Sequence, residues 1–372
     1  MTASLYLHIP FCASLCDYCD FYSVEVPKTD VQFYLEMLCT DIEQQIQQYN
    51  INEIPSLYIG GGTPSVLGAR RIEWLFKRIH GIFPGYIPEI TVEANPESVN
   101  EDFLDACLSG GATRLSIGIQ TFYEKSRQAL NRAGDPHAIM EKLELITRFF
   151  PESFSVDLMT GLPFQTEAQL REDINRVCSC SPGHISLYSL TVEPSVPFFH
   201  LLPLPDQADA LYCFGRDLLE QYSYMQYEVS NFARPGKRCQ HNIRYWRMQS
   251  WLGAGAAASG TIIDEKKGTG TRRTYNPDIE NYFRHDAVEE SLDQLTLVQE
   301  MLLMGFRYIE GPDEGLFKNR FGINLESYIP ETLDSWKHKG MIQPGKNALT
   351  PEGLLFLNRF LIQTFEEIEN RS

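Results

Sequence analysis

Short apolar runs that suit buried strands recur six times in the first half of the chain, with helical patterns between them. We predict strands at residues 5–9, 57–60, 89–93, 114–119, 155–158 and 184–190. We predict helices at residues 31–49, 70–82, 100–109, 136–149 and 167–178. Strand–helix alternation of this kind builds a parallel sheet, because a crossover helix must return the chain to the start of the next strand. The sequence therefore predicts an α/β protein.

Residues that can carry chemistry lie directly after these predicted strands. They are a three-cysteine loop, the glycine run at 60–64, Glu93, Gln120, Asp157 and Thr191. In a β/α barrel the carboxyl ends of the strands share one face, where cofactors and substrates collect. Six strands instead of eight predict a partial (β/α)6 barrel with its site on that face.

The cysteine loop carries Cys12, Cys16 and Cys19, spaced three and then two residues apart. A structural zinc site uses four protein ligands, whereas a [4Fe-4S] cube held by three thiolates leaves one iron open to another ligand. We therefore predict a [4Fe-4S] cluster on these three cysteines. A zinc knuckle or three unrelated buried thiols is the alternative interpretation.

The amino-acid composition limits which classes of protein the chain can belong to. The 372 residues are 43% hydrophobic, which is enough for a large core, and include an odd number of cysteines, nine. No signal peptide precedes the first strand, and the longest weakly polar run, 251–263, is too short to span a bilayer. These features predict a reducing, cytoplasmic setting. A formal net charge of -17 argues against nucleic acid as a partner.

Residues 229–263 break the acidic pattern, since they contain no Asp or Glu. The same stretch holds five cations: Arg234, Lys237, Arg238, Arg244 and Arg247. A local excess of positive charge in an acidic chain predicts that something anionic binds here.

The cysteine spacing, followed by an aromatic residue, resembles the signature of the radical S-adenosylmethionine (SAM) superfamily. The runs at 5–12, 116–122, 130–132, 156–163, 184–191 and 227–233 further resemble its coproporphyrinogen dehydrogenase family, over nearly the whole chain. That resemblance implies that the open iron chelates SAM and that the glycine run, otherwise a plain turn, holds the SAM amino group. It also implies a set of SAM contacts at Tyr6, Tyr18, Gly61, Gly62, Thr63, Glu93, Gln120, Arg132, Asp157 and Thr191.

A haem site is predicted in the acid-free stretch. His241 can offer an imidazole to iron, Tyr245 and Trp246 offer flat faces, and the arginines can meet propionates. The His-Asn-x-x-Tyr-Trp pattern at 241–246 resembles an element of the haem-chaperone branch of the family, HemW. The alternative is a packed structural loop, and Cys239 competes with His241 as the axial ligand.

A second glycine-rich run, 253–258, has the form of a dinucleotide-binding fingerprint. We reject that interpretation because no amphipathic helix follows the run and no βαβ unit surrounds it. The family usually has a histidine at or just before Ser259, and this chain departs from that pattern.

The C-terminal stretch is predicted to form a small helical, winged-helix-like domain, with helices at 298–305, 333–339 and 351–365. Its 8 basic and 11 acidic side chains argue against binding to DNA. We therefore divide the chain into a barrel at 1–235, a connecting segment at 236–294 and a C-terminal domain at 295–372.

Two functions fit the resemblance, a haem chaperone and an oxygen-independent coproporphyrinogen III dehydrogenase. The dehydrogenases carry a further cysteine where Phe21 stands here, and a longer segment before the cluster loop, whereas 11 residues precede Cys12. Both differences favour the chaperone and argue against porphyrinogen decarboxylation. The implied partners are haem and a haem-accepting client protein, with membrane contact only through a client.

Overall fold

The computed structural model describes residues 1–26 and 30–370. Its strands are β1 (Ser4–Ile9), β2 (Phe11–Cys12), β3 (Val24–Glu25), β4 (Ser56–Gly61), β5 (Glu89–Ala94), β6 (Arg114–Gln120), β7 (Phe154–Thr160), β8 (His184–Ser189), β9 (Met225–Gln226), β10 (Asn231–Ala233), β11 (Trp251–Ala254), β12 (Ser259–Asp264), β13 (Thr269–Tyr275) and β14 (Ala287–Leu292). Six of them match the six predicted strands to within two residues at each end.

The α-helices alternate with the strands in the first half of the chain and dominate its last quarter. They are α1 (Val31–Gln48), α2 (Gly68–Ile82), α3 (Glu101–Ser109), α4 (Glu124–Ala129), α5 (Pro136–Phe149), α6 (Glu167–Ser179), α7 (Pro205–Gln221), α8 (Gln240–Trp246), α9 (Ile279–Phe283), α10 (Gln294–Gly305), α11 (Glu314–Phe321), α12 (Leu325–Tyr328), α13 (Pro330–His338), α14 (Pro351–Leu354) and α15 (Leu357–Glu369). None of the helices in the described residues is both long and apolar enough to cross a membrane.

Several helix starts follow from single polar residues. Asp30, Asn100 and Asp135 precede α1, α3 and α5, and each side-chain oxygen accepts hydrogen bonds from backbone N–H groups of the first turn. These groups have no partner inside the helix, so the caps stabilise each start by about 1 kcal/mol.

The central sheet contains six adjacent parallel strands in the order β1-β4-β5-β6-β7-β8, as predicted for the partial barrel. Alternate residues on these strands pack against the helices and are almost fully buried, for example Leu57, Val92, Leu115, Val156 and Ile185. Because successive side chains on a strand point to opposite faces, the residues between them face the lumen.

Residues 236–294 continue the sheet, a different arrangement from the separate connecting segment of the sequence-based division. Strand β11 pairs in parallel with β1, and β12, β13 and β14 follow it as antiparallel neighbours. The glycine-rich run at 253–258 ends β11. A Cβ at Gly253 would lie 2.3 Å from the Ser259 carbonyl oxygen, and one at Gly255 would lie 2.5 Å from that of His8. These glycines serve close backbone packing, which agrees with rejecting a dinucleotide site.

The C-terminal helices enclose a second core, to which Met248, Ile263 and Leu292 also belong. Met301, Phe306, Phe317, Trp336 and Phe360 are among its buried side chains. The helix predicted over 351–365 is instead two helices, α14 and α15. Between them, the N–H groups of Leu355 and Phe356 donate to carbonyls three residues earlier, and not four as in an α-helix. The resulting tight turn ends α14 early.

Candidate functional site

The three cysteines lie at the carboxyl end of β1. Cys12 and Cys16 are half-buried and Cys19 is exposed, and all three line one cavity of about 160 Å³. Partial burial raises the pKa of the Cys12 thiol. The Cys12 sulfur lies 3.6 Å from the Thr63 hydroxyl, a contact that opposes this rise.

The glycine run packs directly against the cysteine loop. The Gly62 N–H donates to the Ile9 carbonyl (2.8 Å), and the Thr63 N–H donates to that of Phe11 (2.8 Å). A Cβ at Gly62 would lie 2.8 Å from the Phe11 oxygen and 2.9 Å from the Cys12 sulfur. Gly61 has φ +117°, a conformation that favours glycine. The run therefore needs its glycines to hold the two loops together.

The donor set of this loop suits an iron–sulfur cluster. Among the described residues, no three His, Cys, Asp or Glu side chains are grouped so as to hold a single metal ion. A cube does not need such a group, because each thiolate binds a different iron. The three thiols share a cavity wall with a glycine-lined surface that gives close access to backbone groups, so the residues fit a cluster with one open iron.

Two half-buried carboxylic acids extend the site across the strand ends. Glu93 accepts hydrogen bonds from the Tyr58 hydroxyl (2.8 Å) and the Gly61 N–H (3.0 Å). Burial raises the pKa of Glu93 to about 7 and that of Asp157 to about 6. Carboxyl groups with perturbed pKa values beside a cavity are typical of functional sites.

Arg132 joins the cysteine loop to the neighbouring strands. Its guanidinium donates to the Tyr18 hydroxyl (3.0 Å) and lies 3.6 Å from the Cys16 sulfur. The same group donates to the Gly118 carbonyl on β6. Gln120, at the end of β6, has φ +70° beside a register shift. This left-handed backbone turns the end of the strand at the cavity wall.

The structure brings most of the predicted SAM contacts together. The wall of the 160 Å³ cavity contains, besides the cysteines, Tyr18, Gly61, Gly62, Thr63, Glu93, Gln120, Arg132 and Asp157. Thr191 lines an adjoining, larger cavity. Tyr6 lies behind the wall, with its hydroxyl 3.0 Å from Nδ1 of His8 and its ring 6.2 Å from that of Tyr58.

That larger cavity, of about 380 Å³, extends into the barrel lumen. Polar residues at every second strand position line it, and none of them was predicted as a site residue, because they lie inside the strands and not at the strand ends. They include Thr91, Arg114, Ser116, Ser155, His184 and Ser186. The missed signal is period-two polarity on strands of a buried sheet, where both faces are usually apolar.

The predicted haem segment does not present a free imidazole. His241 is 1% exposed, and its ring nitrogens lie 2.9 Å from the Ser56 hydroxyl and 3.0 Å from that of Tyr245. Burial lowers the pKa of His241 to about 3, so the ring is neutral. Tyr245 and Trp246 are half-buried on the same helix. In this conformation the segment is packed, as the structural alternative predicts.

The cations of this segment are also engaged. Arg238 and Arg247 contact Glu310 of the C-terminal region (2.6 and 3.8 Å). Lys237 lies 3.9 Å from Glu152. Acidic groups distant in sequence therefore offset the local positive charge that the sequence shows.

Together, a partial barrel of six parallel strands and a three-cysteine loop facing a glycine run define a radical SAM protein. The sequence model of the Radical SAM superfamily matches residues 6–177. Among solved structures, coproporphyrinogen III oxidase (HemN) from Escherichia coli superposes with a TM-score of 0.82 at 22% identity, covering 98% of this chain and 90% of that one. This likeness shows the fold.

Relatives that match nearly the full length of the chain identify its family within this superfamily. The chain is 34% identical to the heme chaperone HemW of Haemophilus influenzae, with 96% of each chain covered. It is 32% identical to the heme chaperone HemW of Escherichia coli, covering 96% of this chain and 97% of the relative. The chain belongs to the HemW family, which confirms the resemblance drawn from its motifs.

Proposed function

We propose that this protein is a haem chaperone that carries a [4Fe-4S] cluster with SAM and delivers haem to a client protein. The observation that carries the proposal is the shared wall of the 160 Å³ cavity, where the three thiols meet the glycine run and the strand-end polar residues. The heme chaperone name of full-length relatives supports the haem part.

Within this proposal, Cys12, Cys16 and Cys19 hold the cluster, which supplies an open iron for SAM. Gly61, Gly62 and Thr63 approach SAM through backbone groups. Glu93 and Asp157 accept hydrogen bonds from its polar groups, and Arg132 balances negative charge beside Cys16. Tyr6, Tyr18, Gln120 and Thr191 complete the proposed set.

Haem contact is proposed at the segment of His241, Tyr245 and Trp246. Because the imidazole is neutral, it is already in the form that binds iron. Ligation by His241 requires one of its two contacts, with Ser56 at Nδ1 or with Tyr245 at Nε2, to open. Binding of propionates requires Arg238 and Arg247 to release Glu310. Haem binding is therefore expected to move α8.

The second candidate is oxidative decarboxylation of coproporphyrinogen III, favoured by the fold shared with coproporphyrinogen III oxidase. Phe21 argues against it, because it stands where the dehydrogenases carry a further cysteine. Its side chain is 71% exposed at the mouth of both cavities. We propose a cytoplasmic setting, consistent with nine cysteines that are all free thiols.

Anaerobic reconstitution tests the proposal in one sample. The reconstituted protein is expected to bind iron and sulfide, to show a Soret band when haem is added, and to release no carbon dioxide from coproporphyrinogen III with SAM and a reductant. Stoichiometric formation of protoporphyrinogen in this assay would contradict the chaperone proposal and support the dehydrogenase function. A C12A/C16A/C19A variant that keeps the iron and sulfide content of the wild type would contradict the cluster assignment.

A further inference from the structure

Two residues that line the 380 Å³ cavity each have a buried polar atom without a hydrogen-bond partner among the described residues. These atoms are Oγ1 of Thr91 and Nε of Arg114. Thr91 is 1% exposed, and the two residues are register partners on β5 and β6. An unsatisfied buried polar group destabilises the folded state, so two of them on paired strands at a cavity wall point to a missing polar partner.

The guanidinium of Arg114 has a free edge. Its one hydrogen bond within the described part of the chain joins Nη1 to the Lys237 carbonyl (3.2 Å). The edge formed by Nε and Nη2 therefore remains available, and its two parallel N–H groups match the two oxygens of a carboxylate. No carboxylate of residues 1–26 or 30–370 lies within ion-pair distance of Arg114, although Glu89 and Asp157 act on it from further away.

The rest of the wall suits a small organic molecule. Tyr58, Met159 and Tyr188 supply apolar surface, while Ser155 and Asn242 supply hydrogen-bonding groups. A volume of about 380 Å³ is near the lower end of the roughly 300–1,000 Å³ typical of small-molecule sites. Neither the cluster nor the SAM contacts use Thr91 or Arg114.

We propose that the barrel lumen, beneath the residues assigned to SAM, binds a small organic monocarboxylate. Its carboxylate pairs with the Nε–Nη2 edge of Arg114 and accepts a hydrogen bond from Thr91. Its apolar part packs between Tyr58 and Tyr188. The proposed site adjoins the haem segment, because Cys239 and Asn242 also line the cavity.

Calorimetry on the cluster-loaded protein with saturating SAM tests this site, with butyrate as the probe and butyramide as its neutral match. Saturable binding of butyrate is expected, with at least tenfold weaker binding of butyramide. R114Q is expected to weaken butyrate binding at least tenfold, and T91V is expected to weaken it severalfold. R176Q, on the outer helix α6, is expected to leave the butyrate affinity unchanged. R114K keeps the positive charge but lacks the two parallel N–H groups, so its butyrate affinity is expected to lie between those of the wild type and R114Q.

Equal binding of butyrate and butyramide, or no binding of butyrate to folded wild-type protein, would overturn the proposal. So would unchanged butyrate affinity in both R114Q and T91V. SAM affinity, measured in parallel, separates this result from the proposed function, because the variants are expected to keep it. If R114Q fails to fold, T91V alone decides, since Val matches the shape of Thr and removes only the hydroxyl.

Discussion

Burial and hydrogen bonding act on the pKa of Glu93 in opposite directions. Burial dominates and raises the pKa to about 7, while donation from Tyr58 and Gly61 lowers it. The neighbouring Asp157 repels a second negative charge, which adds to the rise. Glu93 therefore keeps its proton up to about neutral pH, and a cationic group of a bound cofactor would favour its ionised form.

This balance predicts the pH dependence of stability. Between the ordinary value of 4.5 and about 7, the folded state holds the Glu93 proton more tightly than the unfolded state. Stability of the cofactor-free protein is therefore fully present below that window and falls as pH rises through it. E93Q removes this loss, so its thermal midpoint relative to wild type is expected to be higher at pH 8 than at pH 5. Scanning calorimetry at both pH values checks this, and an equal shift at each would contradict it.

His241 carries a second prediction. H241A is expected to weaken or shift the Soret band of the haem-loaded protein, because it removes the proposed neutral nitrogen ligand. H137A is a matched control, since His137 is exposed on the outer helix α5. Haem titration followed by absorption measures both variants, with cluster content as the test of folding. An unchanged band in H241A would shift the assignment to Cys239.

At the scale of elements, the site depends on how the glycine run meets the cysteine loop. Both follow neighbouring parallel strands, β1 and β4, which pair with Ile9 opposite Gly61. Backbone hydrogen bonds then join the two loops. The sheet therefore fixes the relative position of the two loops. The lack of a side chain at Gly62 lets them approach closely.

G62A tests this contact. The added methyl group would lie 2.9 Å from the Cys12 sulfur and 2.8 Å from a backbone oxygen, so the loop must move. We expect iron content after reconstitution to fall severalfold with little loss of global stability. G81A is the control, because its Cβ meets nothing within 4 Å and lies in helix α2, where Ala is favoured by about 1 kcal/mol. Wild-type iron content in G62A would contradict the tight contact.

At the scale of the whole molecule, Arg320 links the C-terminal helices to the extended sheet. Its fully buried side chain donates to both carboxylate oxygens of Glu265 (2.7 and 2.8 Å) and to the Met248 carbonyl (3.1 Å). A Cβ at Gly268 would lie 2.8 Å from the Arg320 backbone oxygen, so the β12–β13 turn packs closely on α11. These contacts hold the C-terminal helices against the extended sheet.

R320A is expected to cost about 1–3 kcal/mol in free energy of unfolding, mainly because the Met248 carbonyl loses its buried donor. E265Q is expected to cost less than about 1 kcal/mol, since the Glu265 side chain is 51% exposed and the Gln amide oxygen still accepts a hydrogen bond from Arg320. Urea unfolding followed by circular dichroism measures both variants. An equal cost for the two would show that the ion pair, and not the carbonyl, dominates.

The sequence alone determined the six-stranded partial barrel, the place of the cysteine loop and most of the strand-end residues around it. Those features are local: apolar periodicity sets each strand, and parallel strands place all their carboxyl ends on one face. The family likewise follows from runs of adjacent residues.

Only the tertiary structure decided which polar residues are free. His241 and the cations near it look available in sequence, yet Ser56, Glu152 and Glu310 engage them from distant positions, and Tyr245 does so from the next turn of the helix. Conversely, Arg114 and Thr91 look like ordinary strand residues until pairing puts their unpartnered atoms beside one cavity. Hydrogen bonding and burial depend on neighbours that the chain brings together across many residues, and local sequence patterns do not record those neighbours.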